Sequence, residues 1–403
     1  MAPVSSSFRA LSGAASFGAA LWVSLTGCFP SNPSFADARQ PRGVRVLGAL
    51  SSPASGAPGA DIGLQLEVFD GASLFDEAQR AAGSLDEATP ITTPLPLSVA
   101  WLGGCHNPPG DAPSGCYPLL QEIAARLPDP VPDSGADIAP EQARFFGVGT
   151  RFSVHVPETI LEGRQLATSA APFGVSFSFF AVCRGVLHPA PAVLAALPFT
   201  CHDRDTDEPL TSEAFVQGFV TTYTYAGALN LAPALLGTPI EGAQLPVVGC
   251  QSDADCAGLG VGELATVCAR PLAPLLSVTE QPAQQRCLPL VQRCTMPPCA
   301  NHLLLPELSP SSVEDDPSAA PPGSTPPREI LWVRYFGFGG FSRSEALIND
   351  RASGLNPDYA LRWTPPPLAF DSPLPVWAVV QDNRGGTAIA RWDFVVRDIA
   401  NGD

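Results

Sequence analysis

Eleven cysteines carry most of the chemistry open to this chain of 403 residues. Setting Cys28 aside leaves Cys105, Cys116, Cys183, Cys201, Cys250, Cys256, Cys268, Cys287, Cys294 and Cys299. The densest run opens with Cys250-Gln-Ser-Asp-Ala-Asp-Cys256. Clustered thiols of this kind either hold zinc or join as disulfides. Structural zinc takes its ligands in pairs two to four residues apart, and most intervals here are longer. An even set of widely spaced cysteines reads instead as a disulfide framework. Cys105 with Cys116 would close a short loop and Cys183 with Cys201 a second, but the order of residues leaves the connectivity open.

Other groupings invite chemistry and fall short of it. Cys105-His106 and Cys201-His202 have the residue types of metal ligands, yet each histidine stands beside a cysteine expected in a bridge. Asp203-Arg-Asp-Thr-Asp207-Glu208 alternates carboxylates as a calcium loop does, but Glu208 stands at the sixth place, where glycine is required, and Ala214 at the twelfth, where an acid is required. Gly340-Phe-Ser-Arg-Ser344 approaches a nucleophile elbow with serine in place of the second glycine. Phe336-Gly-Phe-Gly-Gly-Phe341 lacks the spacing of a phosphate-binding loop and reads as a twisted strand end or bulge. No catalytic residue, metal ligand or cofactor is assigned from sequence.

The elements that must carry these residues are strands. Val44 to Leu47 begins the pattern. Ile62, Leu64, Leu66 and Val68 then alternate with Gly63, Gln65 and Glu67. Leu97, Val99 and Trp101 predict a strand, as do Phe152, Val154 and Val156, then Val175, Phe177, Phe179 and Ala181, then Phe215 to Tyr225. Ser73 to Ala82 and Tyr117 to Leu127 read as short helices decorating the sheets. Strands resume at Ile330 to Phe336, and Val376 to Val380 with Ala388 to Phe394 predict a hairpin about Asp382 to Gly386. Residues 308–328, acidic and rich in proline, read as a loop too polar to pack. Trp101, Trp332, Trp377 and Trp392 lie in strands and are expected in the core. Trp363, ahead of Pro365-Pro-Pro367, is the tryptophan expected at the surface.

Composition excludes whole classes of function. The net charge of −17 disfavours nucleic acid and anionic headgroups as partners. All 22 basic residues are arginine. A Walker A loop, a pyridoxal Schiff base, a Ser-x-x-Lys hydrolase and a protein-kinase site each require a lysine, so none of them is available.

The amino-terminal end reads as an export leader. Arg9 is followed by the apolar run Ala10 to Ser24, too short to span a bilayer, and by Leu25-Thr26-Gly27-Cys28. These four match the bacterial lipobox, in which the cysteine is acylated and becomes the first residue after cleavage. Two or three acyl chains, at about 0.8 kcal/mol per buried methylene, give a lasting membrane anchor. Phe29, rather than an aspartate, follows the cysteine, as in outer-membrane cargo.

The combination of this lipobox, the Val-Arg-Val-Leu47 strand, Leu331-Trp-Val-Arg-Tyr-Phe336, Leu355-Asn-Pro-Asp-Tyr359, Arg362-Trp-Thr-Pro365 and Val376 to Gly386 resembles the predicted lipoproteins of myxobacteria and related bacteria. The resemblance implies fold and address and brings no catalytic residues. The expected organisation is a leader (1–27), a flexible tether (28–42), an Ig-like β-sandwich (43–228) and a second one (229–403) carrying a cysteine-rich insertion (249–300) and the loop 308–328. The class is all-β, two Ig-like sandwiches in tandem. The expected role is binding or structural, at the outer membrane, with envelope proteins or glycans as partners. An anchored hydrolase or carbohydrate-processing enzyme, and an accessory subunit of an envelope assembly complex, are the alternatives.

Overall fold

The structure is a computed structural model describing residues 42–398 apart from 82–95, 165–171, 191–196, 228–229, 273–283, 322, 353, 357, 368–369 and 371–372. The leader, Leu25, Thr26, Gly27, Cys28 and nearly all of the tether lie outside the described residues.

The first unit is built from β1 (Val44–Ser52), β2 (Asp61–Asp70), β3 (Ser98–His106), β4 (Phe146–Val148), β5 (Arg151–His155), β6 (Phe173–Cys183), β7 (Val186–Pro189), β8 (Phe199–His202) and β9 (Phe215–Tyr225). One antiparallel sheet runs β1-β2-β5 and another β4-β3-β6-β9. The period-2 pattern of β2 turns Ile62, Leu64, Leu66 and Val68 onto Val99, Trp101, Phe180 and Val182, forming the sandwich core. Each such aliphatic side chain contributes about 1.5–3 kcal/mol when fully buried.

Strand β6 is buried on both faces. Its odd-numbered residues, among them Val175, Phe177 and Phe179, pack under a third layer made by helix α2 (Tyr117–Ala124) and the β7–β8 hairpin. The sequence expectation of a decorative helix is therefore corrected. Leu120 and Ala124 are fully buried and seal the sheet's outer face. The bridges Cys105–Cys116 and Cys183–Cys201 fasten this layer to β3 and β6.

The second unit comprises β10 (Leu235–Gly237), β11 (Thr266–Ala269), β12 (Arg286–Gln292), β13 (His302–Leu304), β14 (Glu307–Leu308), β15 (Leu331–Gly337), β16 (Gly340–Phe341), β17 (Glu345–Leu347), β18 (Leu361–Thr364), β19 (Leu374–Asp382) and β20 (Thr387–Arg397). Its main sheet runs β11-β12-β20-β19-β15-β17, with β12 parallel to β20, and the sheet β13-β18-β16 packs on it. The cysteine-rich segment thus supplies two strands of the main sheet. Trp363 is fully buried in the core, stacked on Phe394 at 4.4 Å, with its indole N–H donated to the Phe338 carbonyl at 2.7 Å. That reverses the surface position expected from the prolines that follow it. They end β18, but the strand has already turned the indole inward.

The units meet through a continuous apolar contact. A bulge between Val46 and Gly48 leaves Leu47 without a partner in β2. Leu47, Phe69 and Leu74 of helix α1 (Ala72–Ala81) join the second unit's core, with Phe69 and Trp377 rings 4.6 Å apart. At Gly48, a Cβ would lie 3.3 Å from both Ile389 Cδ1 and Val379 Cγ1, so β1 fits closely against the second unit's main sheet there.

Residues 308–328 also depart from expectation. Leu308, Val313, Asp316 and Ala320 are buried. The Asp316 carboxylate accepts from Asn383 Nδ2 at 2.9 Å, and the Asp315 carbonyl accepts from Arg384 at 3.1 Å. Donors from the β19–β20 turn offset the cost of burying this acidic segment.

Candidate functional site

The β7–β8 hairpin brings His202 and Asp207, each noticed in sequence within a different motif, together with His188, which no motif marks. Its register pairs Val186 with His202, Leu187 with Cys201 and His188 with Thr200. Alternation sends Leu187 and Cys201 into the core and leaves His188 and His202 as diagonal neighbours on the opposite face. Their ring centroids are 4.7 Å apart.

Asp207 arrives from the loop after β8. That loop is locked by Asp203, whose Oδ1 accepts from Asp205 N–H at 3.0 Å, Thr206 N–H at 2.9 Å and the Thr206 hydroxyl at 3.1 Å. These bonds hold the Asp203 carboxyl below its usual range. Arg204 fixes the loop to Asp133 at 2.9 Å and to the Gly185 carbonyl at 3.2 Å. Asp207 has φ +57, a left-handed conformation that aspartate tolerates better than most residues. Its Oδ1 lies 3.4 Å from both His188 Nε2 and His202 Nδ1, while its carbonyl accepts from His202 Nδ1 at 2.9 Å. On the far side of His188, Nδ1 meets Asp129 Oδ1 at 2.7 Å. Asp129 is held there because Val131 N–H donates to the Leu187 carbonyl at 2.9 Å.

The residues singled out from sequence have other duties. All ten cysteines are bridged, as Cys105–Cys116, Cys183–Cys201, Cys250–Cys268, Cys256–Cys287 and Cys294–Cys299. The sulfurs of Cys250, Cys256 and Cys287 lie close together, but each is committed to a bridge and is no metal ligand. His106 Nδ1 meets Ser176 Oγ at 2.8 Å, a pairing with the look of an activated nucleophile. Ser176 is fully buried in β6, however, and burial followed by nearby His155 lowers the His106 pKa. Ser342 accepts from the Arg362 N–H at 3.0 Å and so serves the backbone of β18.

Two carboxyls have strongly raised pKa values. Burial is the main cause for both, lifting Glu329 to about 8 and Asp382 to about 6. Asp382 plugs its own turn, accepting from Arg384 N–H at 2.7 Å and Gly386 N–H at 2.8 Å, and takes Asn230 Nδ2 at 3.0 Å. Glu329 is fully buried beside Arg384 at the junction of the units, and Asp382 is 4% exposed with its carboxylate committed to its own turn, which suits structure better than turnover. Beside the junction opens a cleft of about 490 Å³, lined by β1, β9, β15 and β19 and including Trp332, Arg334 and Phe219. Phe219 is 49% exposed.

No protein-family model and no curated protein matches the chain. Among solved structures it is similar to the crystal structure of Salmonella alpha-2-macroglobulin reacted with methylamine, at 10% identity and a TM-score of 0.20, over 88% of this chain and 17% of that one. A likeness this slight carries no argument about fold or function.

Proposed function

We propose that the chain is an exported lipoprotein, anchored to the outer membrane through Cys28, with a binding or structural role in the cell envelope. The observation that supports this most directly is the cysteine arithmetic. Five bridges take up ten of the eleven cysteines, and the eleventh is the one in Leu25-Thr26-Gly27-Cys28. Such bridges form and persist in oxidising compartments outside the cytosol, and a thiol reserved for acylation has no need of a partner. On this reading its partners are envelope proteins or glycans. The hydrolase alternative gains little from Glu329 and Asp382, because Glu329 is fully buried and the Asp382 carboxylate, beside the cleft, is taken up by the N–H groups of its own turn.

Non-reducing peptide mass mapping of protein extracted from native membranes tests the reading. The expected result is an acylated amino-terminal Cys28 with the five bridges intact. An unmodified Cys28, or a mature chain that begins elsewhere, overturns it.

A further inference from the structure

The geometry points to a binding site for a single zinc-class divalent cation on the outer face of the β7–β8 hairpin, with His188, His202 and Asp207 as ligands. Zinc bonds imidazole nitrogen and carboxylate oxygen at about 2.0–2.2 Å, almost always tetrahedrally. Two ligand atoms on such an ion stand about 3.3–3.5 Å apart. Asp207 Oδ1 already lies 3.4 Å from His188 Nε2 and 3.4 Å from His202 Nδ1. The ligand atoms of the three residues fall within 4.8 Å of one another, so an ion can enter with small side-chain rotations.

The surroundings of His188 are those of a prepared ligand. A metal-bound histidine almost always gives its other ring N–H to a carboxylate or carbonyl, which fixes the tautomer and raises the basicity of the bonding nitrogen. Asp129 Oδ1, 2.7 Å from His188 Nδ1, is placed to take that N–H here, with Nε2 on the side of Asp207. His202 Nδ1 donates to the Asp207 carbonyl in the metal-free chain. Binding at that nitrogen moves the proton to Nε2, the other tautomer of the neutral ring.

The scaffold is rigid and the site open. Cys183–Cys201 ties β8 to β6 one residue before His202, and Leu187 is fully buried one residue before His188. Asp207 is 78% exposed and the two imidazoles 23% and 22%. An ion therefore enters directly from solvent and keeps one coordination position free for water or for a group from another molecule. Imidazole with one carboxylate favours zinc, copper or nickel over calcium, which prefers an all-oxygen shell.

Titration calorimetry with zinc chloride tests the site in the untagged, oxidised chain carrying Cys28→Ser, which removes the cysteine that no bridge occupies. One ion per chain is expected, and cobalt should give the visible absorption of a tetrahedral site. His188→Ala and Asp207→Asn should each weaken binding about 100-fold, and Asp129→Asn about 10- to 100-fold through its hold on His188. His155→Ala, in a separate exposed pair with Asp61, should leave binding unchanged. Far-ultraviolet dichroism and a disulfide map certify each variant's fold. Should His188→Ala fail that check, His202→Gln replaces it, since an amide can still reach the Asp207 carbonyl. Zinc binding below one ion per chain, calcium binding without zinc binding, or folded ligand variants that bind like the parent would overturn the assignment.

Discussion

Arg384 lies over the ring of Tyr225, its guanidinium carbon 4.7 Å from the ring centroid. One residue belongs to the β19–β20 turn and the other to the end of β9, so the contact clasps the two units together. Arg384 is only 2% exposed, and its Nη1 stands 3.7 Å from Glu314 and 3.8 Å from Glu329. Removing a buried charge that balances others costs about 3–5 kcal/mol. Arg384→Ala should lower unfolding stability by that amount in urea at pH 9, where Glu329 is ionised, and adding Glu329→Gln should restore part of it.

The same junction sets a pH dependence. Glu329 is raised from 4.5 to about 8 and Asp382 from 3.8 to about 6. Between those limits the folded chain holds protons that the unfolded chain has lost, so stability falls as pH rises. The effect of Glu329 is on the order of a few kcal/mol between about pH 4.5 and 8. Asp133, Asp203 and Asp255 have lowered pKa values, each led by hydrogen bonds to the carboxylate, and they act oppositely, losing stability as pH falls through the acid range. Urea midpoints should be higher at pH 5 than at pH 8, and Glu329→Gln should flatten that slope. An unchanged slope in the variant would remove Glu329 from the account.

Trp363 and Trp332 offer a contrast within one unit. Trp363 is enclosed by Phe394 and Phe338, whereas Trp332 borders the open cleft. Trp363→Ala should cost about 3–5 kcal/mol, the usual penalty for emptying an aromatic core site. Trp332→Ala should cost clearly less and leave the folded spectrum intact. Thermal unfolding of the pair decides this.

Bridge removal should follow loop length. Cys183 and Cys201 are 18 residues apart and Cys294 and Cys299 only 5. By chain entropy the first bridge is worth about 3 kcal/mol and the second about 2 kcal/mol. The double serine variant at Cys183 and Cys201 should therefore melt lower than its counterpart at Cys294 and Cys299. It should also lose zinc affinity, because β8 is freed.

Much of the strand content was legible because the sandwich core imposes a period of two. Ile62, Leu64, Leu66 and Val68 announce β2, and the Asp382 to Gly386 turn announces the final hairpin. What stayed hidden depends on pairing across distance. His188 and His202 share a face only through the register of β7 on β8, and Asp207 joins them only because Asp203 folds its loop back. Cys201-His202 and the carboxylates from Asp203 to Asp207 were visible as separate motifs, but only the alternation in Val186-Leu-His-Pro189 and Phe199-Thr-Cys-His202 speaks of a shared face, and strands of four residues give it weakly. Leu47 could not be assigned to the second core either, since a bulge reverses the side its neighbours imply. Trp363 and residues 308–328 were misjudged for one reason. Local polarity and prolines speak of exposure, while burial there rests on partners far along the chain.

Strand β20 lies between β12 and β19, with parallel and antiparallel neighbours on its two edges. A ribosome makes it after both of them. On the proposed export route the chain emerges in the same order, so β12 must wait, its edge open, for a strand that begins almost a hundred residues later. The bridges Cys250–Cys268 and Cys256–Cys287 need nothing beyond Cys287 to close, and both brace the β11–β12 hairpin. The cysteine-rich segment is thus a splint for an unfinished sheet. It holds one side of a slot in shape until the last strand slides in.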